Sequence, residues 1–185
     1  MFDDFNYDSI DDNWISFDDG EISLVDSAEV YSGKILRIGA GDGQDEKTLI
    51  SRKNFYYDDK KKYRIKARLR QTSGSGTAFI GVACRNEANT AWVATNGLDE
   101  YQNQFYCASK GQDIDDTWTE VVGYISGRDT SGFIYAPDYY NPSPIHPDGY
   151  YIKPIIIVNF QNQAGITEID YIRIEEVDKD PIVEA

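Results

Sequence analysis

Two stretches of this chain concentrate aromatic rings and amides, the side chains that a surface for holding sugars would need. Between Asn89 and Gln104 the sequence mixes Trp92 with Asn96, Asp99, Glu100, Tyr101, Asn103 and Gln104, and between Phe133 and Tyr151 it adds Tyr139, Tyr140, Tyr150 and Tyr151. A sugar ring offers a C–H face that an aromatic ring can cover. Its rim of hydroxyls exchanges hydrogen bonds with amides, carboxylates and guanidinium groups. The candidate contacts on these grounds are Trp92, Asn96, Tyr101, Asn103, Gln104, Tyr139 and Tyr140. Core packing competes for every ring. Trp14 and Trp118 are assigned to the core or a sheet edge, whereas Trp92 stays open, because Ala91, Val93 and Ala94 around it show no alternation. In the adjacent pairs Tyr139-Tyr140 and Tyr150-Tyr151, extended backbone can turn only one ring of each inward.

Other chemistry-bearing residues narrow the choice. Asp170 sits in Glu168–Val177, a run that sets Ile169, Tyr171, Ile172 and Ile174 against Asp170, Arg173 and Glu175 with the two-residue period of a half-buried strand. A carboxylate there needs a partner, either a bound cation or a nearby lysine or arginine. The acid clusters Asp8–Asn13 and Asp113–Asp116 lack the spacing of a calcium loop and read as solvated turns. Gly39–Gly43 is followed by no Gly-Lys-Ser/Thr and reads as a plain turn. The single histidine, His146, is flanked by Pro144 and Pro147, a poor basis for a nucleophile–histidine site. Cys84 and Cys107 each lie in an apolar stretch, as buried thiols or as one cross-strand bridge.

The elements that must position these residues are strands. Tyr63–Arg70 alternates apolar odd positions with the cations Arg64, Lys66, Arg68 and Arg70, so one face packs and the other is wet. About ten such runs, divided by turn signals such as Ser32-Gly33, Ser73–Gly76 and Asn96-Gly97 and by no helical period, predict an all-β antiparallel sandwich of jelly-roll type. The segment Phe133–Tyr151 holds four of the six prolines and reads as an ordered surface loop. A single domain over residues 1–178 with a tail at 179–185 is expected for 185 residues without an internal linker. Net charge of −14 argues against nucleic acid and anionic membrane as partners. The N-terminal Met1–Phe5 carries no signal peptide pattern.

Asp4-Phe5-Asn6 with Trp14 downstream, Ser32–Ile38, the long strand through Tyr63–Arg70 and the closing Glu168–Ile174 together resemble the carbohydrate-binding-module jelly rolls of the galactose-binding-like group. That resemblance covers most of the chain. It implies a non-catalytic module that recognises a cell-surface glycan or polysaccharide, working outside the cell or on a virion surface, as in polysaccharide-degrading enzymes and phage tail proteins. The tyrosine-rich, histidine-poor composition leans toward the phage setting. It further implies a structural calcium held by Asp4, Asn6, Gly33, Lys34 and Asp170, with Asn6 standing where the family often has Glu and Asp4 on the same face of a first strand over Phe2–Asn6. A virion assembly domain and a jelly-roll polysaccharide-degrading enzyme are the alternatives, and a homo-oligomer or a larger parent protein is compatible with each.

Overall fold

The computed structural model describes residues 1–17, 21–39, 46–74, 76–93, 104–128, 142–161 and 163–177, with the side chains of Gln104, Phe105, Gln112 and Ser143 excepted. Thirteen strands are described: β1 Phe2–Asp3, β2 Trp14–Ser16, β3 Ile22–Asp26, β4 Lys34–Ile38, β5 Lys47–Ser51, β6 Phe55–Tyr56, β7 Lys62–Gly74, β8 Thr77–Arg85, β9 Gln104–Asp113, β10 Thr119–Arg128, β11 Ser143–Ile145, β12 Tyr151–Val158 and β13 Gly165–Val177. They form two sheets. One runs β11-β10-β7-β13-β4-β3 with β1 added to β13, and the other runs β2-β5-β12-β8-β9 with β6 added to β12. Every pairing is antiparallel but β10 with β11. The predicted jelly-roll sandwich is the fold observed. Of the expected Phe133–Tyr151 loop, residues 133–141 lie outside the described residues, and Ser143–Ile145 forms β11 instead of loop.

The alternation in β7 does what its sequence dictates. Ile65, Ala67 and Leu69 are fully buried between the sheets, and Arg64, Lys66, Arg68 and Arg70 project from the other face. In β13 the alternation slips once. Ile169 pairs with Leu69 and Tyr171 with Arg68, so Asp170 is an extra residue in a β-bulge. The bulge lets Ile169, Ile172 and Ile174 all face the core although the first two are three residues apart. Tyr171, expected on the apolar side, is turned outward with the charges, where its hydroxyl donates to Glu120.

Along that outer face, cations of β7 and β4 meet acids of β13. Glu168, 1% exposed, accepts hydrogen bonds from Arg37 on one side and from Arg70 on the other. Arg68 Nη1 lies 2.6 Å from Asp170 Oδ2, Lys66 pairs with Glu120 at 3.2 Å, and Arg64 and Arg173 both reach Glu175. Trp118, just before β10, lies under the guanidinium groups of Arg68 and Arg70 at 4.8 and 4.5 Å. It belongs to the sheet surface, not the core. Trp14 is core, its indole N–H donating to Asp3 Oδ2 at 3.0 Å. Cys84 and Cys107 are free, buried thiols, pushed above the usual thiol range by desolvation. At Gly123 the two sheets come so close that a Cβ would stand 1.7 Å from the Cys107 carbonyl oxygen, which only glycine permits.

Arg37→Met and Arg70→Met each leave Glu168 one guanidinium, so each is expected to cost about 1–2 kcal/mol. The double substitution strands a buried carboxylate and is expected to cost about 3–5 kcal/mol, more than additively if the two arginines share that charge. Urea unfolding of the four proteins measures this, and additive losses would refute it. The Arg64 guanidinium holds the Glu175 carboxyl below the usual carboxylate range. Stability from that group is therefore present above its unfolded pKa and lost as pH falls through the lowered folded value. The melting-temperature gap between wild type and Glu175→Gln should be open at neutral pH and close below about pH 4; a gap independent of pH would show that the charge contributes nothing.

Candidate functional site

The outer faces of the two sheets differ in kind. That of the seven-stranded sheet is covered by the paired charges just described. On the six-stranded sheet, alternation sends Ile152, Ile156 and Val158 of β12 into the core and Ile155 and Ile157 outward. Ile50 of β5 and Ala83 of β8, opposite and beside them in register, join Ile155 and Ile157 in a second apolar cluster. Phe79, Tyr106 and Trp92 pack on that cluster, each half-buried, so their remaining surface faces out.

Each ring is fixed by its strand. Phe79 lies edge-on to Tyr106 at 5.1 Å and to Phe160 at 5.1 Å, at one end of β12. Trp92 follows a turn at Asn86–Thr90, in which the Asn86 side-chain oxygen accepts the Thr90 N–H at 2.9 Å. An isolated bridge then pairs Trp92 with Arg85, whose guanidinium sits 4.9 Å from the indole ring. At the far end of β12, Tyr151 pairs with both Arg85 and Tyr56 in register, and the two tyrosine rings meet edge-on at 5.8 Å. Six residue steps from Tyr151 to Ile157 give this aromatic-bordered face a length of about 20 Å. Beyond Tyr56 a pocket of about 370 Å³ is lined by Tyr57, Asp58, Asp59, Lys60, Arg128 and Tyr150. Arg128 there stacks on Tyr150 at 4.5 Å and pairs with Asp59 at 2.8 Å.

Of the sugar contacts expected from sequence, Trp92 is on this face. Gln104 opens β9 with its backbone paired to Ala83. Asn96, Tyr101, Asn103, Tyr139 and Tyr140 lie outside the described residues. Sequence reasoning missed Phe79, Arg85, Tyr106 and Lys153 as surface groups. Its available signal was Ile155-Ile156-Ile157-Val158, an unbroken apolar run, which marks a strand covered on both faces.

Of the residues expected to hold calcium, Asp4 and Asp170 line one pocket of about 360 Å³, and Asn6, Gly33 and Lys34 are not part of its lining. As placed, they suit an ion pair better than an ion. Asp170 is engaged by Arg68, and Lys34 sends its ammonium to the Tyr7 carbonyl at 3.0 Å and to Asp8 at 3.3 Å. The Gly33 carbonyl accepts the Ser27 N–H and the Lys34 carbonyl accepts the Ser32 hydroxyl. Asp4 and Asn6 are not on one strand face as expected: β1 ends at Asp3, Phe5 has φ +57°, and Asp4 accepts the Asn6 N–H. Among the described residues no three His, Cys, Asp or Glu side chains converge as metal ligands.

No family model and no curated protein matches the sequence. Solved structures do match it. One is the N-terminal endo-1,4-β-D-xylanase 10B of Clostridium thermocellum, its CBM22-1 and GH10 modules complexed with xylohexaose, with TM-score 0.61 and 15% identity over 96% of this chain and 28% of that one. The CBM22-1 xylan-binding domain from Paenibacillus barcinonensis Xyn10C matches with TM-score 0.52 and 12% identity over 97% of this chain and 95% of that one. The family 11 carbohydrate-binding module of a Clostridium thermocellum cellulosomal cellulase matches with TM-score 0.52 and 15% identity, covering 96% and 94%. This chain thus spans about a quarter of the xylanase but nearly all of each isolated module. At such identities the likeness establishes the fold: this is a jelly roll of the kind seen in carbohydrate-binding modules.

Proposed function

We propose that this chain is a non-catalytic glycan-binding module that lays a polysaccharide along the outer face of its six-stranded sheet. The observation that carries the reading is the row of half-exposed rings of Phe79, Trp92, Tyr106 and Tyr151, standing on the sheet whose outward side chains Ile50, Ala83, Ile155 and Ile157 are themselves buried. Rings standing on a rigid sheet offer the flat surfaces that sugar C–H faces stack on, and they lose little entropy on binding. The xylan-binding neighbour lends this reading its fold, and fold by itself does not fix a ligand. The proposed setting is an extracellular or virion surface, with the module acting in attachment.

A glycan array probed with the purified protein tests the function directly; a blank array, neutral and acidic sugars alike, would sink it and favour an assembly role. Trp92→Ala should weaken binding at least about tenfold while costing about 1–2 kcal/mol of stability, since the ring also covers part of the apolar cluster. Calorimetric titration with the array's best ligand, alongside a thermal melt, separates the two effects. Unchanged affinity would reassign Trp92 to packing alone. A separate proposal is that Arg68 and Asp8, by pairing with Asp170 and Lys34, stand in place of the structural calcium that Asp4, Asn6, Gly33, Lys34 and Asp170 would hold. Melts with and without chelator are expected to coincide; a melting temperature lowered by chelator would install the ion and displace the guanidinium.

A further inference from the structure

The cations of this acidic protein are distributed unevenly between its two outer faces. On the seven-stranded sheet Arg37, Arg64, Lys66, Arg68, Arg70 and Arg173 each have a carboxylate partner. On the six-stranded sheet Arg52, Arg85 and Lys153 have none among the described residues. Their hydrogen bonds go to backbone carbonyls instead: Arg52 Nε to Asp11, Arg85 Nη2 to Asn89 at 3.0 Å, and Lys153 Nζ to Arg52 at 3.2 Å.

Strand register gathers these three groups. Lys153 pairs with Ala83 and Arg85 with Tyr151, which makes Lys153 and Arg85 diagonal neighbours on the same face. Lys153 Nζ donates to the Arg52 carbonyl, which brings Arg52, just past the end of β5, beside Lys153. Burial, and then the like charges of Arg85 and Arg52, hold the Lys153 ammonium below its ordinary pKa. Three positive charges gathered on one sheet face oppose folding, and among the described residues no acid pairs with them. In a chain of net charge −14, acids were plentiful. Arg85 is also held in place, over the Trp92 ring and on the Asn89 carbonyl, and a guanidinium is the group that takes a planar anion in bidentate fashion.

We infer that the glycan recognised on this face is anionic, with its carboxylate or sulfate ester groups received by Arg85, Lys153 and Arg52 between the rings of Trp92 and Tyr151. This rests on the glycan-binding reading and adds the charge of the ligand to it. A neutral polysaccharide would leave the three cations as they are, whereas uronate or sulfate groups would supply the missing partners.

Calorimetric titrations of the intact protein against polymers matched except for charge test the inference. Polygalacturonate is compared with its fully methyl-esterified form, and carrageenan with its chemically desulfated form, so that the carboxylate and sulfate sources are told apart. The expected result is binding of at least one acidic member about tenfold or more tighter than its neutral counterpart. Lys153→Gln and Arg85→Gln should each erode that preference, with the melting temperature recorded beside it. If neutral glycans on the array bind and each acidic polymer is no better than its neutral match, the inference falls while the glycan-binding reading stands. If no sugar of either kind binds, that reading falls and the inference with it.

Discussion

The pairing of β13 with β7 organises this molecule, and its charge complementarity is what makes the pairing specific. Two thirteen-residue strands lie side by side from Gly165 opposite Gly74 to Val177 opposite Lys62. On the inner side they contribute Ile65, Leu69, Ile169 and Ile172 to the core, and on the outer side β13 offers acids where β7 offers bases. A one-residue slip would turn the β13 isoleucines outward and leave the β7 arginines beside them with the acids turned inward. Glu168 is the most constrained member, because a carboxylate this buried needs a guanidinium, and both Arg37 and Arg70 reach it.

That arrangement has a consequence for the rest of the surface. Arginine and lysine side chains engaged with β13 and β10 acids are satisfied in place, and Trp118 is covered by two of the guanidinium groups. A ligand docking there would have to break ion pairs and cover charges that already have partners. The six-stranded sheet presents the reverse situation, with apolar side chains beneath rings whose outer edges are uncovered and cations whose partners are backbone carbonyls. The division between a face whose cations are paired and the face proposed to bind follows from where the acids of β13 fall.

Much of the architecture was legible in the sequence because period two is a direct signature of the pleat. The odd-apolar, even-basic pattern of Tyr63–Arg70 gave the correct inward and outward sets without exception. The bulge at Asp170 was not legible, since Tyr171 can occupy either side of a strand and only pairing to Arg68 reveals the extra residue. The same ambiguity affected Asp170 itself. Its need for a partner was readable, and both an ion and a basic side chain could meet that need. The arginine that meets it comes from position 68, more than a hundred residues away, a pairing that local sequence does not encode. Likewise the fourth residue of Asp3-Asp4-Phe5-Asn6 looked like a continuing strand, until Phe5 takes a positive φ and turns the chain out of it.

The candidate binding face was only half legible for a related reason. Trp92 stood out because its neighbours lack alternation, which is what a residue following a turn and held by one isolated bridge would show. Phe79 and Tyr106 were hidden inside runs that read as core strands, and indeed their neighbours Ile80 and Cys107 are core. In a sheet covered on both sides, the outward positions need apolar side chains too, so apolar content cannot tell the two faces apart. Charge can. Lys153 interrupts an otherwise apolar β12, and Arg85 closes an otherwise apolar β8, at positions that the register brings together. Cations that break such strands without an acid opposite them are better explained by what the face receives than by what the fold requires, because the fold would be served as well by a neutral side chain at either place.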